Sequence, residues 1–539
     1  MSQHRRRLPA RDAKRRQVVT AGAFVGTVAL GVGLGFWVSA DGSDGKSSVF
    51  ADSTATGSPS PTRSYPLSHA PRTIPAVRAH TPARGPGWRP AHGERVVVSD
   101  PELTDEGRLI AGELGLSYAG EKDDVRAGDV RLALSGEEGA NPESYTMTVR
   151  DGRVNISGPA DAGVFYGTRT LKQEVHGGGT APEGVVRDEP AKPRRGFMLD
   201  IARKPYSAAW IEDRVRELGD LKFNELGLHF SDDQGFRIES SSHPEIVSKD
   251  HLTKAQVKRI LDLAASRHIE VVPEIDSPGH LGAVLDAHPD LELRDADGDP
   301  TRGAVDISKD ASGATVDDLL EEYAGLFSGG YWHLGGDEYQ ALTRSDPEAS
   351  YPQLAAAAQK AFGSGGNVAD LATGWLNDRA GTVRAHDRTM RVWNDGFFES
   401  ASVQPAKDLE VAYWTGKEID AREPLVYLRA GRKVLNYNDE FLYYVLGEPQ
   451  TFVYPTGQRI YEQWTPRVLR GTDTVPDRYD AQILGGSFAV WADIANAQTQ
   501  EQVAAGIRMP LRATVQKLWD PGKPALSWAE FKKLADTLR

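Results

Sequence analysis

The sequence predicts a (β/α)8 barrel that is preceded by a small α+β domain. Beyond Pro193, short apolar strands alternate with longer helical stretches, and eight strand candidates can be counted. Eight such units over roughly 340 residues are typical of a barrel with insertions. Charged or aromatic residues follow most of these strands, which is where barrel enzymes carry their active sites. A doubly wound open sheet is the alternative fold, but no glycine-rich phosphate-binding turn follows the first strand.

The first 40 residues predict that the chain is exported. A basic start, which includes Arg15 and Arg16, precedes Val18–Ala40, a run of 23 residues without a charge. Such a run is long enough to span a bilayer, and basic residues before it place the N-terminus in the cytoplasm. We therefore expect residues 1–40 to be a signal peptide, cleaved after Ala40, or a retained membrane anchor. In both cases the globular part is extracytoplasmic, either secreted or anchored to the cell membrane by the N-terminal helix.

Composition narrows the classes of partner and the chemistry. Hydrophobic residues make up 39% of the chain, enough for a sizeable core, and the net charge of −13 argues against a nucleic-acid partner. The absence of cysteine excludes disulfides and thiolate-bound metals. Residues 41–83 are rich in Ser, Thr, Pro, Gly and Ala, which predicts a disordered linker.

Residues 84–190 carry the pattern of the α+β domain. Tyr145–Val149 alternates polar and apolar residues, and the following Asp151-Gly152 is typical of a hairpin turn. The predicted strands of this domain are Arg95–Ser99, Val130–Leu134, Tyr145–Val149 and Val154–Gly158, and its predicted helices are Glu106–Leu116 and Ala160–Glu174.

Residues 191–539 carry the pattern of the barrel. The predicted strands are Gly196–Ile201, Glu225–Phe230, Glu270–Ile275, Tyr331–Leu334, Met390–Trp393, Glu410–Tyr413, Lys433–Asn436 and Ile483–Val490. The helical stretches between them include Ala209–Leu221, Thr253–Arg267 and Gln353–Arg379.

Carboxylates, one arginine and several tryptophans follow the predicted barrel strands. This combination suits carbohydrate chemistry, because aromatic faces stack on sugars while charged groups bind hydroxyls and an acid protonates the leaving oxygen. Asp337 and Glu338 are adjacent, so their Cα atoms are only ~3.8 Å apart. Adjacent carboxylates cannot easily flank a sugar from opposite faces, as an ordinary retaining pair does. We therefore expect another group to attack the anomeric carbon.

The segment His333-Leu334-Gly335-Gly336-Asp337-Glu338 resembles the catalytic signature of glycoside hydrolase family 20, the β-N-acetylhexosaminidases. Segments 195–203, 229–234 and 271–280 also resemble motifs of that family, and with the segments from 143 to 171 the similarity covers about residues 90–535. The resemblance implies hydrolysis of terminal β-linked N-acetylglucosamine or N-acetylgalactosamine, with the substrate's acetamido group as nucleophile. Its substrates would be N-acetylhexosamine glycans, such as chito-oligosaccharides and glycoconjugates, and it implies no metal and no organic cofactor.

The same resemblance implies a role for each site residue. Glu338 would be the general acid and then the general base, and Asp337 would hold the acetamido N–H and stabilise the oxazolinium charge. Tyr443, or Tyr444 if the register differs by one, would donate its hydroxyl to the acetamido oxygen. The remaining roles are an aromatic wall of Trp393, Trp414 and Trp491, hydroxyl binding by Arg203 and Asp493, and a relay of Asp232 and His280 that keeps Glu338 protonated.

Other polar residues near these positions have a structural explanation that is at least as good. Asp200 and Asp233 are equally well explained as groups that cap or brace the barrel. Trp332 and His333 lie within a predicted strand and are interpreted as structural. Glu274 and Asp276 stay outside the predicted catalytic set.

Two departures from the family pattern concern hydroxyl recognition. Family members commonly carry Trp-x-Glu after the last strand, whereas this chain has Trp491-Ala492-Asp493. Many also carry Tyr-x-Asp where this chain has Tyr443-Tyr444-Val445. Release of a disaccharide such as lacto-N-biose is therefore an alternative activity. A surface carbohydrate-binding protein without turnover is a second alternative, although the predicted acid is present.

Overall fold

The computed structural model describes residues 64–538, except 123, 137–138 and 419–420. The predicted signal peptide or anchor at 1–40 and residues 41–63 of the predicted linker lie outside the described residues. Among the helices of the described residues, none is long and apolar enough to cross a membrane.

A seven-stranded mixed sheet forms the first part of the described chain. Its strand order is β1-β7-β5-β6-β4-β2-β3. Helices α1 (Thr104–Leu114) and α2 (Asp161–Gly178) contact this sheet. The strands are β1 Ala79–Pro82, β2 Arg95–Val98, β3 Ser117–Glu121, β4 Val130–Leu134, β5 Tyr145–Arg150, β6 Arg153–Gly158 and β7 Gly184–Asp188.

The predicted linker extends too far toward the C-terminus. β1 pairs antiparallel with β7, and Ile74 is buried in the core of the barrel domain. Gln173 fixes Ile74 further, because its side chain accepts from the Ile74 N–H at 2.7 Å and donates to the Ile74 carbonyl at 2.9 Å. Composition alone did not show this order, since strand pairing and one buried side chain stabilise a segment that is otherwise polar.

The remainder of the chain contains thirteen more strands within the described residues. They are β8 Arg194–Asp200, β9 Glu225–His229, β10 Ser231–Asp232, β11 Gly235–Phe236, β12 Glu270–Glu274, β13 Glu292–Arg294, β14 Pro300–Val305, β15 Tyr331–His333, β16 Thr389–Trp393, β17 Glu410–Tyr413, β18 Val434–Asn436, β19 Tyr443–Val445 and β20 Ile483–Trp491.

Helices lie between and after these strands. They are α3 Ala208–Asp220, α4 Lys254–Ala265, α5 Gly282–Ala287, α6 Asp310–Leu326, α7 Pro347–Ser350, α8 Pro352–Phe362, α9 Val368–Arg384, α10 Pro424–Arg429, α11 Asp439–Leu442, α12 Gly457–Gln463, α13 Gln500–Trp519 and α14 Trp528–Thr537. Short 3-10 helices lie at Pro101–Leu103, Pro244–Ile246, Gln340–Thr343, Asn394–Gly396 and Asp477–Gln482.

Eight parallel strands close into a barrel. The order is β8, β9, β12, β15, β16, β17, β18 and β20, and β20 pairs in parallel with both β18 and β8, which closes the ring. This confirms the predicted (β/α)8 fold and excludes the open-sheet alternative. The strands are buried on both faces, as expected for a parallel sheet covered by helices.

One predicted helical stretch is two helices. The segment 353–379 is divided into α8 and α9, and the chain between them contains Gly363, whose φ is +87°. Asn367 then starts α9, because its side chain accepts from the Asp370 N–H in a capping box. A glycine with a positive φ, which other residues rarely adopt, ends one helix, and the capping residue begins the next.

Candidate active site

The carboxyl ends of the barrel strands surround a small cavity. Its volume is about 230 Å³. Nine of the ten predicted site residues line it, and Asp232 lies buried behind it. The lining residues are Arg203, His280, Asp337, Glu338, Trp393, Trp414, Glu418, Tyr443, Val445, Gln450, Phe452, Trp491 and Asp493.

Aromatic rings form the wall of this cavity. Trp414 and Tyr443 stack with ring centroids 5.7 Å apart and planes inclined by 6°. Trp491 meets Tyr443 at 5.7 Å and Trp393 at 5.9 Å. Trp393 is fixed from below, because its indole N–H donates to Glu274 Oε1 at 2.7 Å. The result is a rigid apolar surface around one side of the cavity.

The structure resolves which of the two consecutive tyrosines faces the cavity. Both lie on β19, where side chains alternate in direction. Tyr443 points into the cavity. Tyr444 instead stacks on Tyr454 at 4.3 Å, and its hydroxyl lies 3.1 Å from Gln498 Oε1. Of the two tyrosines, Tyr443 is therefore the one that lines the cavity.

A tight loop after β15 presents the two adjacent carboxylates. Gly335 and Gly336 have φ values of +68° and +96°, and Glu338 has a φ of +48°. A Cβ atom at position 335 would lie 1.7 Å from Asp276 Oδ1, so only glycine permits this approach. The Glu338 backbone N–H donates to Asp395 Oδ2 at 3.2 Å, which holds the left-handed residue in place.

Asp276 and Asp337 form a buried pair of carboxyl groups. Asp276 Oδ1 accepts from the Gly336 N–H at 2.8 Å, and its carboxyl group contacts that of Asp337. Burial, and then the charge of Glu274, raise the pKa of Asp276 to about 7. Burial and the neighbouring Asp276 also raise the pKa of Asp337. Two carboxyl groups this close cannot both ionise readily, so the pair retains a proton near neutral pH.

His280 stands between this pair and Asp232. Its Nδ1 lies 3.5 Å from Asp232 Oδ2, and its Nε2 lies 3.7 Å from Asp337 Oδ2 and 3.5 Å from Glu338 Oε2. Burial opposes the charged ring, but the carboxylates of Asp232 and Asp337 outweigh it and raise the pKa of His280. Contact with His280, assisted by Arg203, lowers the pKa of Glu338. The sequence predicts that Asp232 and His280 keep Glu338 protonated. In the free site they instead favour the ionised form of Glu338, because His280 itself carries the positive charge.

Arg203 is fixed by two buried carboxylates. Its Nη1 lies 3.0 Å from Asp200 Oδ2 and its Nη2 lies 2.7 Å from Asp232 Oδ2. Asp200 Oδ2 also accepts from the Ala492 N–H at 3.0 Å, which ties the first barrel strand to the last. Asp493 follows on the cavity rim, where burial raises the pKa of its carboxyl group and Arg203 opposes that shift. Asp200 is thus a positioning group rather than a cap alone.

Several residues outside the predicted set organise the site. Glu274 lies at the centre of a buried network: its oxygens are 2.7 Å from His229 Nδ1 and 2.9 Å from His333 Nδ1. His229 Nε2 in turn lies 2.8 Å from Asp232 Oδ2, and the two carboxylates outweigh burial and raise the pKa of His229 to about 10. The interpretation of His333 as structural agrees with its burial, whereas Glu274 supports Trp393 and Asp232 together.

Asp395 is a further residue that the sequence reasoning missed. Its Oδ1 accepts from the Trp414 indole N–H at 2.9 Å, and its Oδ2 accepts from the Glu338 backbone. Burial and the charge of Asp337 raise the pKa of its carboxyl group. The available signal was its place directly after the fifth barrel strand, next to Trp393 and Asn394. Asp233, by contrast, caps α5, because its Oδ1 accepts from the Gly282 N–H at 2.9 Å.

Metal-type donors also come together at this edge of the barrel. The donor atoms of Asp276, His280 and Asp337 lie within 4.8 Å of one another, and so do those of His229, Glu274 and Asp276. These atoms contact each other directly as ion pairs or shared-proton contacts. These groups set the protonation states of Glu338 and Asp337 through their charges and contacts.

Comparison with known proteins identifies the family. The model of the glycosyl hydrolase family 20 catalytic domain matches residues 193–516, and that of the family's domain 2 matches residues 70–189. The chain belongs to glycosyl hydrolase family 20.

Similar proteins are known from curated sequences and solved structures. The chain is 28% identical over 475 residues to a lacto-N-biosidase of Bifidobacterium bifidum, covering 87% of this chain and 41% of that protein. It is 33% identical over 273 residues to a beta-N-acetylhexosaminidase of Cellulomonas fimi, covering 45% of this chain and 54% of that protein. The chain thus spans about half the length, or less, of these relatives. The GH20 beta-N-acetylhexosaminidase from Streptomyces coelicolor A3(2) shares the fold, with a TM-score of 0.70, 24% identity and coverage of 88% and 96%.

Proposed function

We propose that this protein is an exo-acting β-N-acetylhexosaminidase that cleaves terminal β-linked N-acetylhexosamine with retention. The observation that carries the proposal is the adjacent pair Asp337 and Glu338 on one wall of an aromatic cavity. One loop cannot place an acid and a separate carboxylate nucleophile on opposite faces of a sugar. The substrate's acetamido oxygen therefore attacks the anomeric carbon.

Each side chain has a place in this reaction. Asp337 accepts the acetamido N–H and faces the positive charge of the oxazolinium ring, and Tyr443 donates its hydroxyl to the acetamido oxygen. Glu338 protonates the leaving oxygen and then takes a proton from the attacking water. Because the Glu338 side chain is 42% exposed, a bound sugar displaces water from it. That desolvation raises the pKa of Glu338 and supplies the acid form that the free site disfavours.

The size of the cavity supports release of one sugar at a time. About 230 Å³ is below the roughly 300–1,000 Å³ that is typical of sites for drug-sized ligands, and it suits a single ring. A second cavity of about 230 Å³ lies beside it and shares Glu338 and Glu418 with the first. The acid thus lies between two spaces, which we assign to the terminal sugar and to the leaving group.

Disaccharide release is the second candidate function. The similarity to a lacto-N-biosidase extends over 87% of this chain, which favours it. Hydrolysis rates on an aryl N-acetyl-β-glucosaminide and an aryl lacto-N-bioside separate the two activities. An enzyme whose cavity holds only one ring should hydrolyse only the first. Exclusive turnover of the disaccharide substrate would replace the monosaccharide assignment.

The mechanism is tested by inhibition and trapping. An N-acetylglucosamine-thiazoline mimics the cyclic intermediate and should inhibit competitively. A fluorosugar should leave no covalent glycosyl-enzyme in a mass spectrum of the intact chain. A trapped covalent adduct would show that a side chain is the nucleophile.

The site of action is proposed from the sequence of residues 1–40. The basic start and uncharged run support export, with the barrel outside the cytoplasmic membrane and its substrates among extracytoplasmic N-acetylhexosamine glycans. Fractionation of the host should place the activity outside the cytosol. N-terminal sequencing then distinguishes a cleaved signal, with a start near Asp41, from a retained anchor.

A further inference from the structure

A cluster of metal-type donors lies outside the lining of the active-site cavity. His243 and Glu245 belong to the segment between β11 and α4, and His288 directly follows α5. The first of these segments follows the hairpin of β10 and β11, which contains Asp232, and α5 begins two residues after His280. The cluster therefore joins the segment that follows the β10–β11 hairpin to the far end of the helix that begins after His280.

The donor atoms are close enough to share one ion. Glu245 Oε1 lies 3.1 Å from His243 Nδ1 and 2.9 Å from His288 Nε2, and the three donor atoms all lie within 4.8 Å of one another. Two ligands at ~2.0–2.2 Å from a tetrahedral zinc ion are roughly 3.3 Å apart. Small rotations of these partly exposed side chains bring all three to that spacing.

The second nitrogen of His243 has a carboxylate neighbour of its own. His243 Nε2 lies 3.5 Å from Asp318 Oδ2 on α6. A neutral imidazole carries one N–H, yet this ring has a carboxylate oxygen opposite each nitrogen. A metal ion at Nδ1 would leave the proton on Nε2, where it faces Asp318. Carboxylate–histidine–metal arrangements of this kind orient zinc-binding histidines.

The loop that carries His243 is held independently of any ion. Glu322 on α6 accepts from Ser240 Oγ at 2.7 Å and from the backbone N–H groups of Ser241 and Ser242 at 2.6 and 3.0 Å. Ser240 Oγ also accepts from the His243 N–H at 3.0 Å. The ligand-bearing backbone is therefore already in position, which lowers the entropic cost of binding.

We propose that His243, Glu245 and His288 bind a divalent transition-metal ion, with Zn²⁺ as the best match. Two imidazoles and one carboxylate are ligands that zinc accepts, and a water molecule would complete a tetrahedron. The ion would connect the loop after β11 to the end of α5 and stabilise the arrangement of the active-site loops. This role is separate from the hydrolytic chemistry and does not depend on the proposed function.

Calorimetric titration of the full chain with ZnCl2 tests the site. We expect one equivalent per chain, and a loss of affinity of at least tenfold in each of His243→Gln and His288→Gln. Asp318→Asn should retain the site but weaken it by about tenfold, since it removes only the partner of a ligand. His386→Gln is the matched control, because His386 pairs with Glu321 at 2.7 Å outside any three-donor group of the described residues.

Two outcomes would overturn the proposal. Equal zinc affinity in the wild type and in both histidine variants would place the ion elsewhere, for example at Asp276, His280 and Asp337. The absence of binding heat at millimolar zinc would show that there is no site. Glu245→Gln provides a further variant should a histidine variant fold poorly, because Glu245 is an exposed side chain. Zinc should raise the melting temperature of the wild type and of His386→Gln, but not that of Glu245→Gln.

Discussion

The two ends of the barrel both bury charged side chains, but they balance them differently. At the amino-terminal end, Arg391 lies 2.5 Å from Glu225 and 3.2 Å from Glu410, and Arg194 lies 3.1 Å from Glu270. At the carboxyl end, Asp337 adjoins both Asp276 and Asp395, and His280 lies beside Asp232, Asp337 and Glu338.

The pKa directions express this difference. Although burial opposes it, Arg391 lowers the pKa of Glu225. Burial and like charges instead raise the pKa values of Asp276, Asp337 and Asp395. Paired charges contribute to the native fold, whereas carboxyl groups that retain protons near neutrality are poised for acid–base chemistry. The amino-terminal end should therefore respond to mutation in stability, and the carboxyl end in rate.

The largest expected effect is on the rate, through Glu338→Gln. A glutamine cannot donate a proton to the leaving oxygen, so kcat/KM for a glycan substrate should fall by about 10²–10⁴-fold. The loss should be much smaller for an aryl glycoside whose leaving group needs no protonation. The melting temperature should stay close to that of the wild type. Equal losses on both substrates would show that Glu338 is not the acid.

At the opposite end, Arg391→Met should reduce stability instead. It leaves Glu225 and Glu410 buried without their main partner, which costs about 3–5 kcal/mol. Denaturant unfolding measures this free energy. Arg384→Met is the matched control: it removes an exposed pair with Asp408 at 2.7 Å and should cost less than about 1 kcal/mol. Similar losses in the two variants would contradict the contrast between paired buried and exposed charges.

The barrel strands were predictable because each is a short apolar run buried on both faces. All eight lie within two residues of their predicted positions. Strands β1, β3 and β7 were not predicted, since β1 and β3 are largely or partly exposed and gain their order from pairing. The division of 353–379 into two helices was not predicted, because strong helix-forming residues lie on both sides of the short glycine-rich segment that separates α8 from α9.

The site residues that belong to sequence motifs were predictable, whereas the directions of their pKa shifts were not. Trp393 and Trp491 end strands and Trp414 directly follows one, and the structure places all three around the cavity with Asp337 and Glu338. The pairing of Asp276 with Asp337 depends on a loop returning to within hydrogen-bond distance. The opposite pKa shifts of Glu338 and Asp276 follow from that packing and from the position of His280.

A smaller effect is expected for Asp276→Asn, and it should appear in the pH dependence. The raised pKa, about 7, means that Asp276 holds its proton in the folded protein below pH 7 and loses it above. Activity that needs this proton, and the stability it contributes, should fall as pH rises through 7. Wild-type kcat/KM should be about tenfold lower at pH 8 than its plateau value.

Asparagine is neutral at every pH, so Asp276→Asn should lack this descending limb. The pH profile of kcat/KM and melting curves at pH 5 and pH 8 measure both consequences. A limb that persists unchanged in the variant would assign the titration to another group, such as His280.

The smallest expected effect concerns Asp493 and the identity of the sugar. A glutamate at this position would reach a sugar hydroxyl directly, whereas an aspartate stops about 1.5 Å short and leaves room for a water molecule. Val445 on the cavity wall adds no polar contact. Losing one hydrogen bond to a neutral hydroxyl costs about 0.5–1.5 kcal/mol, so the N-acetylglucosaminide and N-acetylgalactosaminide should differ by no more than about tenfold in kcat/KM.

Asp493→Glu should sharpen that preference, because the longer side chain replaces the water with a direct contact. Paired kcat/KM measurements on the two aryl epimers give the ratio for each enzyme. Val445→Ile is the control, since it fills space on the same wall without adding a polar atom, and it should leave the ratio unchanged. A wild-type enzyme that rejects one epimer by about a thousandfold would instead require a contact stronger than any single neutral hydrogen bond, and Gln450 and Glu418 on the cavity wall would then be the residues to exchange.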